Sequence, residues 1–417
     1  MSKFNKRYEL SVTSEIGKLE GVILHTPGLE IEHMTPANAE RALYSDVLNL
    51  SVASMEYDQL KGVLEKTAQV FQVEDLLAEV LDNSRVRNNL IQKICANSEA
   101  HEVYEDLLKM SPADLSEALM QGVLMKRDNL SRFLSNERYS LRPLHNFFFT
   151  RDLAAVINDR VLVSKMASQV RSREALIMET IFDYHPMFSV ETLDLNHIDN
   201  AHIEGGDVLV ANENTLIIGC GARTNSVAID YLIESFKKEG GVQHILVQEL
   251  PLEPESFIHL DMVFTLLDKH TCMVYKPVVM DSASLKTVSI TIDNGKVSIR
   301  EEKDLLRGME KLGMEMEPVF CGSTSDTWIQ EREQWHSGAN FFALGEGKII
   351  GYHRNVNTIE ALDYAGFSVI DAVDVIENKV DLDSYDRYVI TIDGSELARG
   401  GGGCRCMTMP IRRAPVK

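Results

Sequence analysis

Apolar residues recur three or four positions apart between about residues 36 and 135, which is the spacing of amphipathic helices. The stretch Ser111-Pro-Ala-Asp114 predicts a helix start. Ser is a good N-cap, Pro fits the first helical position and Asp favours the first turn. The same spacing continues through MEYDQLKGVLEKTAQVF and VEDLLAEVL. We therefore predict a helical insertion module at residues 36–135.

From about residue 140, short β-type runs occur in pairs that are separated by Asn, Asp or Gly. Four such hairpins are predicted, starting at Asp152, Asp207, Asp261 and Gly338. Helical stretches lie between them, such as SREALIMETIFDY and NSVAIDYLIESFKKEGG. The hairpins recur every ~50 to 80 residues, which indicates structural repeats. The pattern predicts an α/β fold.

Polar side chains stand at the start of each predicted hairpin. They are Asp152, Glu204 with Asp207, His259 with Asp261, and Asn340, while Cys406 begins the last apolar run. If the repeats surround an axis, these starts converge, so that carboxylates, an imidazole and a thiol meet in one cavity. The alternative is that Asp and Asn at strand starts are ordinary turn residues.

Three motifs at these starts suggest chemistry, and each has a structural alternative. Thr150-Arg151-Asp152 could instead be a buried Arg–Asp ion pair. In His202-Ile-Glu204-Gly-Gly-Asp207 the glycines allow a ligand to approach, and the alternative is a tight turn capped by Asp207. His259-Leu-Asp261 heads a predicted strand, where period two puts both side chains on one face for proton transfer and cation binding. Its alternative is a satisfied surface pair.

The stretch Arg399-Gly-Gly-Gly-Gly-Cys404-Arg-Cys406 joins four glycines to two cysteines. Cysteine attacks as the thiolate, and glycines leave room for a substrate beside the backbone. Neither Lys-Ser/Thr nor a helix start follows the glycines, which sets aside a phosphate-binding loop. Cys406 is the better-placed nucleophile because it begins an apolar run, whereas Cys404 lies in the flexible part.

Composition narrows the function classes. The 417 residues carry a net charge of −21, which disfavours nucleic acid and anionic lipid as partners and suits a cationic small substrate. We find neither an apolar run of about 20 residues nor an apolar signal segment at the N-terminus. The six cysteines are scattered, which predicts free thiols in a reducing compartment. We therefore expect a cytoplasmic protein.

Several motifs occur in a fixed order along the chain: IGKLEGVILHTPGLEIEHMTP, PLHN…FTRD, HIEGGDVL, ARTN, HLDMVFT, EREQWHSGAN and RCMTMP. Together they resemble the arginine deiminase family over nearly the whole chain. The resemblance implies a five-bladed α/β propeller of ββαβ-type units, assigned to residues 1–35 and 136–417, with the helical insertion at 36–135. It also implies hydrolysis of free L-arginine to L-citrulline and ammonia, through a covalent amidino-cysteine intermediate and without a metal or cofactor.

The same resemblance implies roles for individual residues. Cys406 falls on the nucleophile and His259 on the general acid/base. The carboxylates that bind the guanidinium or orient the histidine fall on Asp152, Glu204 and Asp261.

The resemblance also implies which residues bind the rest of the substrate. Asn146, Arg171 and Arg223 fall on positions that hold the α-carboxylate, and Asp207 has a supporting role. Two departures are visible: His145 replaces the Pro of the family's PLPN, and glycines stand where some members carry an arginine in the loop. We include Arg405, beside the nucleophile, among the candidate substrate-binding residues.

Three alternatives stay open. Another guanidino-group hydrolase or an amidinotransferase would share the motifs, although Arg171 and Arg223 argue against agmatine as substrate. A metal hydrolase would need ligands from the set His202, Glu204, His259, Asp261 and His336, which lacks a compact motif. A non-catalytic binding protein is the third. The expected partner is L-arginine, and a homo-oligomer is compatible with the sequence.

Overall fold

The structure is a computed structural model that describes residues 7–188, 190–238, 240–324 and 326–416. The strands over these residues are β1 Leu19–Leu24, β2 Gln69–Gln72, β3 Val123–Leu124, β4 Tyr139–Leu141, β5 Ala154–Ile157, β6 Arg160–Val163, β7 Glu191–Leu193, β8 Val208–Asn212, β9 Thr215–Cys220, β10 Val242–Glu249, β11 Phe264–Leu266, β12 Thr271–Val274, β13 Thr287–Asp293, β14 Lys296–Glu302, β15 Glu317–Phe320, β16 Phe342–Gly345, β17 Lys348–Tyr352, β18 Ser368–Asp371, β19 Tyr388–Ile392 and β20 Met409–Arg413.

The helices of the same residues are α1 Leu29–Glu32, α2 Leu50–Thr67, α3 Val73–Leu81, α4 Ser84–Asn97, α5 Tyr104–Lys109, α6 Pro112–Gln121, α7 Leu130–Leu134, α8 Ser172–Tyr184, α9 Ser226–Phe236, α10 Lys276–Val279, α11 Leu305–Lys311, α12 Thr327–Trp335, α13 Val356–Tyr364 and α14 Ala372–Ile376. None of these helices has both the length and the apolar character that a bilayer crossing requires.

One unit of pairing repeats through the sheets. In each, two strands pair antiparallel and the second of them also has a parallel partner that follows a helical connection. The five examples are β20-β1-β2, β5-β6-β7, β8-β9-β10, β11-β12-β15 and β16-β17-β19. The strands β13, β14 and β18 extend two of these sheets at their edges. The predicted α/β class and repeats are therefore confirmed at the level of the sheets.

All four hairpins predicted from residue 140 onward are present. They are β5-β6, β8-β9, β11-β12 and β16-β17. The first strand of each buries short apolar runs, such as AAVI in β5, where every residue is buried. Burying one such aliphatic side chain is worth about 1.5–3 kcal/mol. This burial fixes where each hairpin begins.

The polar groups at the hairpin starts lie in short 3-10 turns rather than in the strands themselves. These turns span Thr150–Leu153, Gly205–Asp207 and Leu260–Met262. The prediction that His259 and Asp261 share a strand face is therefore wrong. A 3-10 turn advances a third of a revolution per residue, so side chains two apart point in different directions.

The predicted helical module contains the helices α2 to α7, and α6 begins as predicted, with the Ser111 hydroxyl accepting from the Asp114 amide. The helical prediction is wrong over Gln69–Gln72, where the chain forms β2 and pairs in parallel with β1. Cross-strand pairing stabilises this short stretch outside helix α2, which ends at Thr67. The boundaries at 36 and 135 stay a prediction.

Candidate active site

A single cavity collects most of the residues that the sequence singled out. Seven of them line it: Asn146, Asp152, Arg171, Glu204, Arg223, His259 and Cys406. The rim adds Leu43 and Ser45, which precede α2, and Trp335 at the end of α12. The glycine stretch also lines the cavity, from Arg399 to Gly402. Of the polar groups predicted to converge at the hairpin starts, Asp152, Glu204, His259 and Cys406 line the cavity, whereas Asp207, Asp261 and Asn340 do not.

Asp152 is held by a partner other than its sequence neighbour. Its Oδ2 accepts a hydrogen bond from Nη1 of Arg171, whose Nε donates to Glu174 at 2.8 Å. Arg151 instead donates through Nε to the carbonyl of Arg405 at 3.4 Å. The alternative of an Arg151–Asp152 ion pair is therefore wrong. The second oxygen, Oδ1, has no hydrogen-bond partner among the described residues, so it can accept from a ligand.

His259 lies between two carboxylates. Its Nε2 is 2.9 Å from Oε2 of Glu204, and its Nδ1 is 3.5 Å from Oδ1 of Asp152. Burial favours the neutral ring, but these carboxylates outweigh it and raise the pKa of His259 to about 9. The ring is therefore an imidazolium at neutral pH. The alternative of a surface His–Asp pair is wrong, because His259 and Asp261 are both fully buried.

The double glycine after Glu204 makes this packing feasible. A Cβ on Gly206 would stand 2.5 Å from Nδ1 of His259, which is closer than real side chains come. Asp207, at the end of the same turn, accepts from the backbone amide of Leu260 at 2.8 Å. It therefore supports the backbone that carries His259 and does not itself line the cavity, so a role of Asp207 in substrate binding stays a prediction. Burial raises the pKa of Asp207 to about 7.

Cys406 is a buried thiol in a carboxylate-rich environment. Its Sγ lies 3.8 Å from Oδ2 of Asp261 and receives a hydrogen bond from Nδ2 of Asn340 at 3.2 Å. Burial, followed by the charges of Asp261 and Asp152, raises the pKa of Cys406 well above its usual value. The protein alone therefore keeps Cys406 protonated, and a bound cation would favour the thiolate.

Asn340 is a site residue that the sequence reasoning named only as a strand start. Its Oδ1 accepts from the amides of Arg405 at 2.8 Å and Cys406 at 3.2 Å, and its Nδ2 donates to the carbonyl of Asp261 at 3.1 Å. One carboxamide thus orients both the nucleophile and its acidic neighbour. The feature of the sequence that could have identified Asn340 as a site residue was the motif HSGAN, which ends on it.

Arg405 does not line the cavity, so the prediction of direct substrate contact does not agree with its position. The guanidinium is 1% exposed and points into the protein, donating to Asp261 at 2.8 Å and to both oxygens of Glu15 at 3.1 Å. The physical reason is that a buried cation needs carboxylate partners, which lie behind the nucleophile. Glu15 was missed because it lies 390 residues away in sequence.

The two arginines assigned to the substrate's carboxylate differ in their partners. Arg171 is buried and already paired with Asp152 and Glu174. Arg223 is half-buried at the cavity wall. Within the described residues, its guanidinium makes neither a hydrogen bond nor an ion pair. Arg223 is therefore the better donor for an anionic group of a ligand.

Asp152, Glu204 and His259 also offer ligand atoms within 4.8 Å of one another, as a metal ion would require. Over the described residues, His202, Asp261 and His336 do not join this group. All three members face the same cavity as Cys406. The geometry therefore brings only two residues of the proposed metal set together, Glu204 and His259.

We expect Gly403→Ala to reduce the turnover number at least tenfold. The added methyl would stand 2.6 Å from Oδ1 of Asn340, so the carboxamide that holds Cys406 must shift. Overpacking of this kind costs about 1–3 kcal/mol. Product formation and thermal unfolding measure the two effects. Gly345→Ala is the matched control, since its nearest neighbour would lie at 3.7 Å. An unchanged turnover number in Gly403→Ala would show that the Asn340 contact is dispensable.

Comparison with known proteins places this geometry in a family. The sequence model of arginine deiminase matches residues 40–413. The arginine deiminase of Listeria innocua serovar 6a is 32% identical over 98% of this chain and 99% of its own length. That of Bacillus cytotoxicus is 31% identical over 98% of this chain and 100% of its own.

Solved structures agree at the level of the fold. An amidinotransferase of saxitoxin biosynthesis from Microseira wollei is 13% identical with a TM-score of 0.54, covering 98% of both chains. The N-terminal domain of a cyanobacterial arginine dihydrolase is 12% identical with a TM-score of 0.52, covering 94% of this chain and 97% of its own. The fold is thus the α/β fold of these enzymes, and by sequence the chain belongs to the arginine deiminase family.

Proposed function

We propose that this chain hydrolyses free L-arginine to L-citrulline and ammonia through a covalent intermediate on Cys406. The observation that carries the proposal is the shared cavity of a buried thiol, an imidazolium and two carboxylates, Asp152 and Glu204, with Arg223 at its wall. Family membership and the full-length relatives support the same reaction.

The charges suit a guanidinium substrate. Oδ1 of Asp152 accepts an N–H of the planar cation, and charge-assisted hydrogen bonds of this kind are about twice as strong as neutral ones. At the other end of the substrate, the α-carboxylate meets Arg223 and the amide of Asn146. Asn146 is held in place because its Nδ2 donates to the carbonyl of Ala42 at 2.8 Å.

The bound cation starts the chemistry. Its positive charge offsets Asp152 and Asp261 and lowers the pKa of Cys406, so that the thiol loses its proton to solvent and becomes the thiolate. The sulfur attacks the guanidinium carbon and forms a C–S bond. The imidazolium of His259 gives its proton to one nitrogen, the C–N bond breaks, and ammonia leaves. An amidino group remains on sulfur.

Water completes the reaction. The now neutral imidazole of His259 takes a proton from water, and the resulting hydroxide adds to the amidino carbon. The C–S bond breaks, the carbon keeps the new oxygen as the ureido group of citrulline, and the thiolate returns. Glu204 keeps the ring in place throughout, since its other oxygen is held by the amide of Ala167 at 3.1 Å.

The glycine stretch lines the cavity and would move on substrate entry. The cavity volume is about 70 Å³, which holds only a few water molecules. Arg399, at the start of the stretch, is tied to Asp46 at 2.6 Å and to Glu396 at 2.8 Å. The pair with Asp46 is exposed and therefore weak, whereas Glu396 is buried, so opening of the glycine stretch mainly breaks the pair with Asp46.

We extend the proposal to architecture and location. The five ββαβ-type sheets correspond to the five blades of a propeller whose axis passes through the cavity, with the helical module inserted at 36–135. The six cysteines are all free thiols, which supports a reducing, cytoplasmic compartment.

The decisive experiment compares free L-arginine with agmatine, which lacks the carboxylate. We expect equimolar citrulline and ammonia from arginine only. Arg223→Gln should raise the KM for arginine about 10- to 100-fold, because a charge-assisted pairing is worth roughly 1.5–3 kcal/mol. Arg138→Gln, an exposed arginine outside the cavity, is the matched control. Turnover of agmatine instead of arginine would overturn the carboxylate assignment and keep the cysteine chemistry.

A further inference from the structure

A second cavity of about 500 Å³ lies between the C-terminal end of α4, the segment that follows β4, and the start of α8. It shares no lining residue with the cavity that contains Cys406. Its walls include His145, the residue that replaces proline in the PLPN motif. The proposed reaction uses neither His145 nor the charged groups around it.

Two buried side chains on this cavity hold polar atoms without protein partners. His145 is 5% exposed, and its Nδ1 contacts the carbonyl of Glu30, whereas its Nε2 has no hydrogen bond within the described part of the chain. Arg173 is 8% exposed, and its Nε is likewise unpartnered there. Unsatisfied buried polar atoms cost about 1–3 kcal/mol each, so a ligand that pairs with them gains that energy.

Arginines make one side of the cavity basic. Arg173 donates through Nη2 to the carbonyl of Arg142, and Arg41 lines the same region. Burial and the neighbouring Arg142 lower the pKa of Arg173 to about 10 despite Glu174. Glu137 contacts Arg142 at 3.1 Å and Arg41 at 3.7 Å, which offsets part of the charge at the exposed mouth. Because one glutamate is shared between these two arginines, Arg142 is neutralised only in part and remains available to a ligand together with Arg173 and His145.

Acidic groups line the same cavity. Glu99 and Glu102 are among its lining residues, and within the described residues neither forms an ion pair. The last turn of α4, ending at Asn97, also borders the cavity, and the carbonyl end of a helix carries partial negative charge. A simple anion would be attracted by the arginines and repelled by the glutamates. A ligand with both charges matches both sets of groups.

We propose that this cavity binds a zwitterionic amino acid, with its carboxylate on Arg173 and Arg142 and its ammonium group facing Glu99 and Glu102. His145 supplies a further hydrogen bond through Nε2. Because the adjacent Asn146 faces the cavity that contains Cys406, the new site borders the wall of the proposed active site.

Isothermal titration of the full chain tests this with three probes: L-alanine, acetate and methylammonium. L-Alanine should bind about tenfold or more tightly than either half-ligand, because each half forgoes one charge-assisted contact. Acetate binding as tightly as L-alanine would mean a plain anion site and overturn the zwitterion proposal. Absence of L-alanine binding at millimolar concentration would overturn the site itself.

Exposed positions supply variants that should fold. Arg142→Gln and Glu102→Gln should each weaken L-alanine binding about tenfold, whereas Arg138→Gln, exposed and outside the cavity, should not. Wild-type affinity in both cavity variants would refute the site. Arg223→Gln separates the two cavities: it should leave L-alanine binding intact, and loss of binding there would place the ligand beside Cys406 and refute the proposal.

Discussion

Cys406→Ala should lower the rate of citrulline formation from arginine by about 10⁵-fold or more, as removal of a covalent nucleophile does in other hydrolases. Among the described residues that line the cavity, Cys406 is the only cysteine. Discontinuous measurement of citrulline and ammonia over hours gives the residual rate. Thermal unfolding checks that the variant is folded, since alanine removes only one sulfur from a packed position.

Cys404→Ala is the matched control for this loss. Cys404 is also fully buried and lies two residues away, but it does not line the cavity. We expect its activity to stay within a few-fold of wild type. Activity retained in Cys406→Ala, or lost equally in both variants, would contradict the assignment of the nucleophile.

His259→Asn should lower the turnover number by about 10²–10⁴-fold, the usual contribution of a general acid and base. The ring donates the proton that ammonia carries away, and the variant cannot. In wild type, the imidazolium is lost as pH rises through about 9, so kcat/KM should fall on that alkaline side. The variant should lack this limb. A pH–rate profile of both proteins measures it.

The same group links pH to stability. Its pKa is raised in the folded state, so its contribution is complete below about 6.5 and disappears as pH rises through about 9. His259→Asn should therefore lose more stability at pH 6 than at pH 10. His244→Asn, at a half-buried ring bonded to Thr291 at 3.1 Å in another part of the fold, should leave the alkaline limb of the pH–rate profile unchanged. An unchanged alkaline limb in His259→Asn would assign it to another group.

Local patterns predicted the hairpins and their polar starts because each depends on a few neighbouring residues. Asp152, Glu204 and His259 all precede buried apolar runs, and those runs fix the turns. The stretch QVFQ was missed because its environment, pairing with β1, is set by residues almost fifty positions earlier. Its four residues continue the apolar spacing of α2, and this spacing predicted a helix where the chain forms a strand.

Side-chain direction explains the other differences. Arg405 is next to the nucleophile in sequence, yet its guanidinium pairs with Glu15 and Asp261 behind the cavity. The sequence around Arg405 does not predict that Glu15 lies behind the cavity, because the two residues are 390 positions apart. Asp152 similarly forms an ion pair with Arg171 and not with its sequence neighbour Arg151. Long-range charge pairing therefore decided which charged residues face a ligand.

The pairing of β1 with β20 has a consequence for biosynthesis. Strand β20 follows Cys406 directly, and β1 follows Glu15, so the support of the nucleophile joins the earliest and latest described parts of the chain. Contacts of such sequence separation form late and slowly in folding. During translation, His259 and the carboxylates of Asp152 and Glu204 are synthesised well before Cys406. The growing polypeptide therefore stays catalytically inactive until Cys406 and β20 have been synthesised and β20 has paired with β1.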